Sequence, residues 1–90
     1  MNKSDLVSAI ADNSGLSKAD AARALDATTS AISSALASGD SVGITGFGSF
    51  LVRARAARSG RNPQTGATIQ ISASNVPAFK AGKLLKESVN

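Results

Sequence analysis

The side chains that carry most protein chemistry are nearly missing from this chain. Its 90 residues include no histidine and no cysteine, which removes the commonest general bases, thiol nucleophiles and transition-metal ligands. Every carboxylate except Glu87 lies within the first 40 residues, mostly where helix caps and exposed helix faces account for it. The sequence therefore predicts a non-enzymatic protein with no catalytic residue, no metal site, no cofactor and no small-molecule substrate.

The charge is concentrated in the second half of the chain. Residues 1–40 carry three cations against five acids, a net charge of −2, whereas residues 41–90 carry seven cations against one acid, a net charge of +6. Four arginines fall within residues 53–61, and arginine suits phosphate recognition better than lysine does. A basic surface that only aids solubility is the simpler alternative, but this arginine-rich stretch disfavours it.

The first 40 residues predict two helices. Asn2 can cap the first helix and Gly15 can end it, while "SKAD" at residues 17–20 has the spacing of a second helix start. Apolar and small residues then recur at three- and four-residue steps to about Ser38, with Gly39 as the stop. Beyond Arg23 the second helix has no basic residue, so we expect a packing or dimerising helix rather than a DNA-recognition helix.

After Asp40 the apolar pattern changes to the alternation of β-strands. Phe50, Val52 and Ala54 share one predicted strand face, and Arg53 and Arg55 share the other. The glycines of "GFGSF" predict a tight turn, because no phosphate-loop lysine follows them. Residues 50–60 and 67–75 are predicted to form one projecting two-stranded ribbon with "RNPQTG" at its tip, and a short helix near residues 81–89 closes the chain.

An arginine-bearing ribbon of this kind suits a DNA groove. Membrane binding would need a basic amphipathic helix, and RNA recognition usually needs exposed aromatic platforms; neither is present. Pro63 at the tip has two interpretations. Its rigid ring, which has no N–H group, could wedge between base pairs, or it could simply shape the turn, and the residues alone leave both open.

Several segments together resemble the bacterial HU and integration host factor family. These are "MNKSDLVSAIA", "GLSKADAARALDA", "GFGSF", "GRNPQTG" and "NVPAF", and the similarity extends over essentially all 90 residues. The resemblance implies an intertwined dimer whose two β-arms embrace DNA, with Pro63 of each arm intercalating in the minor groove, a mechanism known from that family. Lysines that many relatives carry on the returning arm strand are replaced here by Ala67, Thr68 and Gln70.

The predicted fold class is accordingly α+β, with an N-terminal helix pair, a small antiparallel sheet, a protruding two-stranded arm and a short C-terminal helix. One domain, 1–90, would comprise a helical dimerisation region at 1–40, a sheet and arm at 41–80 and a helix at 81–90. Together with the arginine-rich stretch, the resemblance implies the following DNA-binding residues: Lys3, Arg53, Arg55, Arg58, Arg61, Asn62, Pro63, Gln64, Lys80, Lys83 and Lys86. The predicted dimer core comprises Leu25, Ile32 and Leu36 from the second helix, and the resemblance adds Phe47, Phe50 and Phe79.

The expected partners are double-stranded DNA and a second copy of the chain, or a related chain in a heterodimer. A domain of this size with few large apolar side chains is only marginally stable alone, which favours a shared core. The sequence has no apolar run of membrane-spanning length, and we expect a cytoplasmic protein of the nucleoid. An integration-host-factor-like subunit that prefers particular DNA sequences is the alternative.

Overall fold

A computed structural model describes all 90 residues and confirms the predicted α+β class. Three helices and five strands follow one another in the order α1 (Lys3–Ser14), α2 (Lys18–Ala37), β1 (Val42–Ile44), β2 (Gly48–Arg55), β3 (Arg58–Arg61), β4 (Thr68–Ile71), β5 (Ser74–Ala81) and α3 (Lys83–Ser88). The chain divides into two compact units, Met1–Ala35 and Leu36–Asn90. No helix is both long enough and apolar enough to cross a membrane.

The start and end of α1 follow from its capping residues. The Asn2 side chain accepts a hydrogen bond from the backbone N–H of Asp5 at 2.9 Å, and the Asp5 carboxylate accepts one from the N–H of Asn2 at 3.2 Å. This reciprocal capping box satisfies two N–H groups that have no partner inside the helix. Gly15 ends α1 in a left-handed conformation and donates its N–H to the carbonyl of Ala11 at 3.0 Å.

The second helix begins and ends close to its predicted limits. Its start is marked by Ser17, whose hydroxyl accepts a hydrogen bond from the N–H of Asp20 at 3.1 Å. The helix ends at Ala37, one residue before the predicted limit. The predicted dimer-core side chains on α2, Leu25, Ile32 and Leu36, are only half-buried, and Ala11 and Ala21 are the only buried hydrophobic residues of the chain.

The strands form two antiparallel sheets. One has three strands in the order β1-β2-β5, and the other is the hairpin of β3 and β4. In the larger sheet, Phe50 of β2 stands opposite Val42 of β1 and Phe79 of β5. The Phe79 ring contacts those of Phe50 and Phe47, with ring centroids 4.9 Å and 5.4 Å apart. Phe47 and Phe79 nevertheless remain 45% and 41% exposed, so one chain leaves this aromatic cluster partly uncovered.

The predicted two-stranded ribbon is present, but its antiparallel pairing is interrupted once. Pairing between β2 and β5 stops at Arg55 and Ser74, and pairing between β3 and β4 resumes at Arg58 and Ile71. The same number of residues separates the two blocks on each strand, so the register is unchanged and the gap is not a β-bulge. The gap residues are Ala56, Ala57, Ser72 and Ala73, whose small side chains contribute little cross-strand packing to hold the strands together.

The C-terminal helix is shorter than the prediction of residues 81–89. Ala81 still belongs to β5, where it pairs with Gly48, and Gly82 is the N-cap of α3. The helix then runs for the six residues Lys83–Ser88. Sequence patterning overestimated it because the alanine and glycine before it are compatible with either element.

Candidate nucleic-acid interface

Three of the predicted DNA-binding cations share one face of the three-stranded sheet. Residues on a strand alternate between its two faces, and the β2–β5 register places Lys80 opposite Ser49, Arg53 opposite Val76 and Arg55 opposite Ser74. Phe50 and Phe79 occupy the other face. The sheet therefore separates an apolar aromatic face from a cationic face that carries Arg53, Arg55 and Lys80, all of which are exposed.

The arm, defined here as residues 58–71, divides its two arginines between its faces. Arg61 stands opposite Thr68, on the same face as Ser59 and Gln70, whose side chains are joined by a hydrogen bond of 3.4 Å from the Gln70 amide to the Ser59 hydroxyl. Arg58 stands opposite Ile71 on the other face, where Ile69 faces Gly60. The strand alternation can be continued across the two unpaired residues between β2 and β3. Arg61 then lies on the same face as Arg55, whereas Arg58 lies on the face that carries the aromatic rings.

The arm tip is a turn organised by Asn62. The Asn62 side chain accepts a hydrogen bond from the N–H of Gln64 at 2.9 Å, and its carbonyl accepts one from the N–H of Gly66 at 2.7 Å. The N–H of Asn62 is donated to the carbonyl of Ala67 at 2.8 Å. Local side-chain hydrogen bonding of this kind is typical of asparagine in turns. Asn62 thus has a structural role at the tip in addition to the DNA contact predicted for it.

Pro63 lies within this turn and is exposed. Its ring fixes the φ angle of Pro63 itself, and the residue has no backbone N–H group that would need a partner. The turn interpretation of Pro63 is therefore physically sound. It does not conflict with the wedge interpretation, because the same turn holds the ring out at the end of the hairpin.

The remaining predicted cations lie outside the arm. Lys83 and Lys86 are exposed on α3, three residues apart and therefore neighbours on its surface. Lys3 belongs to the first unit and is already paired, since its ammonium group lies 2.8 Å from the carboxylate of Asp26. Sequence reasoning identified Lys3 but missed Asp26, because helix spacing alone does not reveal which residues of two different helices will meet.

The cations of the second unit have almost no acidic neighbours in sequence. Between Asp40 and Glu87 there is no acidic residue, so no carboxylate on these strands can neutralise Arg53, Arg55, Arg58 or Arg61. Uncompensated positive charge along an exposed ribbon attracts a polyanion and concentrates it near the surface. The arrangement can bind phosphates, but it contains no group that would react with them.

Comparison with known proteins identifies the relatives of this chain. The family model described as "Bacterial DNA-binding protein" matches residues 1–90. The chain is 58% identical over 89 residues to DNA-binding protein HU of Geobacillus stearothermophilus, covering 99% of both chains. It is 57% identical over 90 residues to DNA-binding protein HU-beta of Pseudomonas aeruginosa, covering 100% of both.

A solved structure with the same fold is the HU protein of Anabaena, determined as a cocrystal with DNA. The TM-score is 0.92 at 48% identity, and the match covers 99% of this chain and 97% of the other. These relatives are DNA-binding proteins rather than enzymes, which confirms the expectation of a non-enzymatic protein. The chain therefore belongs to the bacterial DNA-binding protein family, the family of the HU proteins.

Proposed function

We propose that this protein is a nucleoid component of the bacterial cytoplasm that binds double-stranded DNA through the minor groove, with little sequence preference, and bends and compacts it. The observation that carries this proposal is the ribbon. By strand alternation it places Arg53, Arg55 and Arg61 on the same face, and it ends in the exposed ring of Pro63. The Anabaena relative was crystallised with DNA, which supports DNA as the ligand.

The functional unit is proposed to be a dimer, because one chain buries too little of its apolar side chains to be stable alone. It contains no fully buried large side chain and exposes 6851 Å². A typical folded monomer of its mass would expose about 4,900 Å². The surplus of about 2,000 Å² exceeds the roughly 800 Å² that each partner buries in a standard interface. A second copy would bury what one chain cannot, by covering Phe47, Phe79 and the half-buried α2 side chains Leu25, Ile32 and Leu36.

In this proposal the cations attract the duplex and the proline deforms it. Opening a base step costs a few kcal/mol in minor-groove proteins of this kind, among which HU and integration host factor are known examples. A bend compensates for this cost by bringing flanking phosphates to other cations of the dimer. Lys80 on the sheet and the α3 lysines Lys83 and Lys86 are the groups we assign to those flanking phosphates.

The test is one set of titrations at several salt concentrations. Random duplexes, nicked or gapped duplexes and single strands of matched length would be compared by fluorescence anisotropy. We expect similar affinity for unrelated duplex sequences. Each neutralised phosphate contributes about −0.9 to the slope of log K against log salt, so the dimer's slope should be several units. A flat salt response would contradict the proposal.

The same titrations separate this function from its alternative. An integration-host-factor-like subunit would need a paralogous partner and would prefer its own site. A preference of about 10³-fold or more for one duplex sequence, within the range of specific DNA-binding proteins, would favour that alternative. One relative carries the name HU-beta, so the binding of a paralogous chain should be measured alongside the homodimer.

A further inference from the structure

The short helix α3 begins without a side-chain cap of its own. Its N-cap is Gly82, which makes no side-chain hydrogen bond, and the first N–H groups of any helix lack partners within it. Here the turn between β1 and β2 supplies acceptors. Gly82 donates its N–H to the carbonyl of Phe47 at 2.7 Å, and Leu85 donates its N–H to the carbonyl of Gly46 at 3.2 Å. The turn therefore acts as the cap of α3.

This contact is so close that only glycine fits at position 82, and a side chain at position 46 would meet Leu84. A Cβ atom at Gly82 would lie 2.7 Å from the carbonyl oxygen of Gly46 and 2.9 Å from its carbon, both of which are backbone atoms. Gly82 has an ordinary φ of −81°, so space alone excludes a side chain. A Cβ atom at Gly46 would lie 2.7 Å from a methyl group of Leu84, and Gly46 also has a φ of +82°.

We propose that Gly46 and Gly82 are positioning residues for DNA binding, because they set where α3 presents Lys83 and Lys86 to flanking DNA. The inference rests on the function proposed above. An isolated helix of six residues is not stable in water, so its position must come from its contacts. The position of Lys83 and Lys86 relative to phosphates thus depends on the contact between Gly82 and the β1–β2 turn, which carries no charge.

The main test substitutes Gly82→Ala and measures the salt dependence of binding on two duplexes. One duplex is long enough to extend beyond the arms, and the other is short enough for the arms alone. A dimer has four α3 lysines, and each neutralised phosphate contributes about 0.9 to the magnitude of the slope of log K against log salt. On the long duplex that magnitude should therefore fall by up to about 3.6. The short duplex should bind as it does to the parent protein. Equal slopes for parent and variant on the long duplex would overturn the proposal.

A second set of variants shows whether the effect passes through the lysines. Lys83→Ala/Lys86→Ala should lower the long-duplex slope by the same amount, and adding Gly82→Ala to that pair should change it no further. A general loss of structure would instead lower it again and would weaken short-duplex binding too. A further loss in the triple variant therefore overturns the positioning role.

Gly46→Ala is a further test, and Gly39→Ala is its control because the two glycines have similar backbone conformations. Gly39 has a φ of +86°, but a Cβ atom added there would meet nothing within 4 Å, so Gly39→Ala reproduces the backbone strain of Gly46→Ala without its contact with Leu84 of α3. We expect Gly46→Ala to lower the long-duplex slope, Gly39→Ala to leave it unchanged, and Leu84→Ala to restore it partly in the Gly46→Ala background. Equal effects of the two alanine substitutions would contradict the proposal even if Gly82→Ala fails to fold. If the parent protein itself shows no salt-dependent binding, the proposed function fails instead.

Discussion

Lys3 of α1 and Asp26 of α2 form an ion pair, with 2.8 Å between Nζ and Oδ1. The two side chains are 69% and 60% exposed, so the pair contributes at most about 1 kcal/mol to stability. It matters more for binding, because a lysine that already has a carboxylate partner must leave it, or share it, to neutralise a phosphate. Asp26 therefore competes with DNA for a predicted DNA-binding residue.

Asp26→Asn should strengthen DNA binding and steepen its salt dependence. The substitution releases Lys3, and up to about 0.9 per chain should be added to the magnitude of the slope if each released lysine meets a phosphate. Asp20→Asn is the matched control, since Asp20 lies on the same helix and its partner is Arg23, at 3.5 Å, which is not a predicted DNA contact. Identical slopes for the two variants would mean that only net charge matters.

Pro63→Ala should reduce DNA bending sharply and reduce affinity for straight duplex less. In the proposed mechanism the arginines supply the electrostatic attraction and remain in place, whereas the wedge proposed for Pro63 is lost. Resonance energy transfer between the duplex ends would measure bending beside an affinity titration. Arg61→Ala is the comparison variant, and it should weaken binding across all sequences. If Pro63→Ala bends DNA as well as the parent does, the proline only shapes the turn that Asn62 organises.

Gln70→Lys should raise affinity by adding a cation to the neutral returning strand. Gln70 is exposed and faces Ser59 across the arm, on the face that also carries Arg61. The side-chain hydrogen bond that would be lost is long, at 3.4 Å, so little stability should be lost with it. Gln70→Met, which is similar in size but uncharged, is the control. A slope unchanged by the lysine would show that this face of the arm does not meet phosphates.

Phe79→Ala should weaken the dimer, because the ring links Phe47 and Phe50 in the cluster proposed for the shared core. Truncating a buried phenylalanine costs about 3–5 kcal/mol, and urea unfolding at several protein concentrations would measure that cost. Ile69→Ala is the control, since Ile69 is similarly exposed in one chain, at 42% against 41%, but lies on the arm. Similar losses from the two substitutions would argue against a dimer core at Phe79.

The arm should move relative to the three-stranded sheet when DNA is absent. Four small residues, Ala56, Ala57, Ser72 and Ala73, interrupt the ladder, and segments with few packed contacts open most easily. Backbone order parameters from NMR relaxation should therefore fall from Arg55 to Arg58 and stay low through the tip. Values at the tip equal to those in α2 would contradict this expectation.

Much of this protein could be predicted from local sequence patterns. Several features depend only on neighbours within a few residues. They are the capping at Asn2 and Ser17, the ends of α1 and α2 near Gly15 and Gly39, the alternation that separates Phe50 from Arg53, and the turn at "RNPQTG". The lack of histidine and cysteine and the cationic second half of the chain follow from composition alone. These features are local or compositional, and the physical rules behind them need no knowledge of the rest of the chain.

Tertiary structure decided what depends on residues far apart in sequence. It left a gap in the pairing of the predicted ribbon at residues 56–57 and 72–73, where small side chains contribute little cross-strand packing. It paired Lys3 with Asp26, and it placed Gly82 against Gly46, where the space between two backbones excludes any side chain. None of these partners is marked by spacing or composition, since each contact exists only after separate elements have packed together.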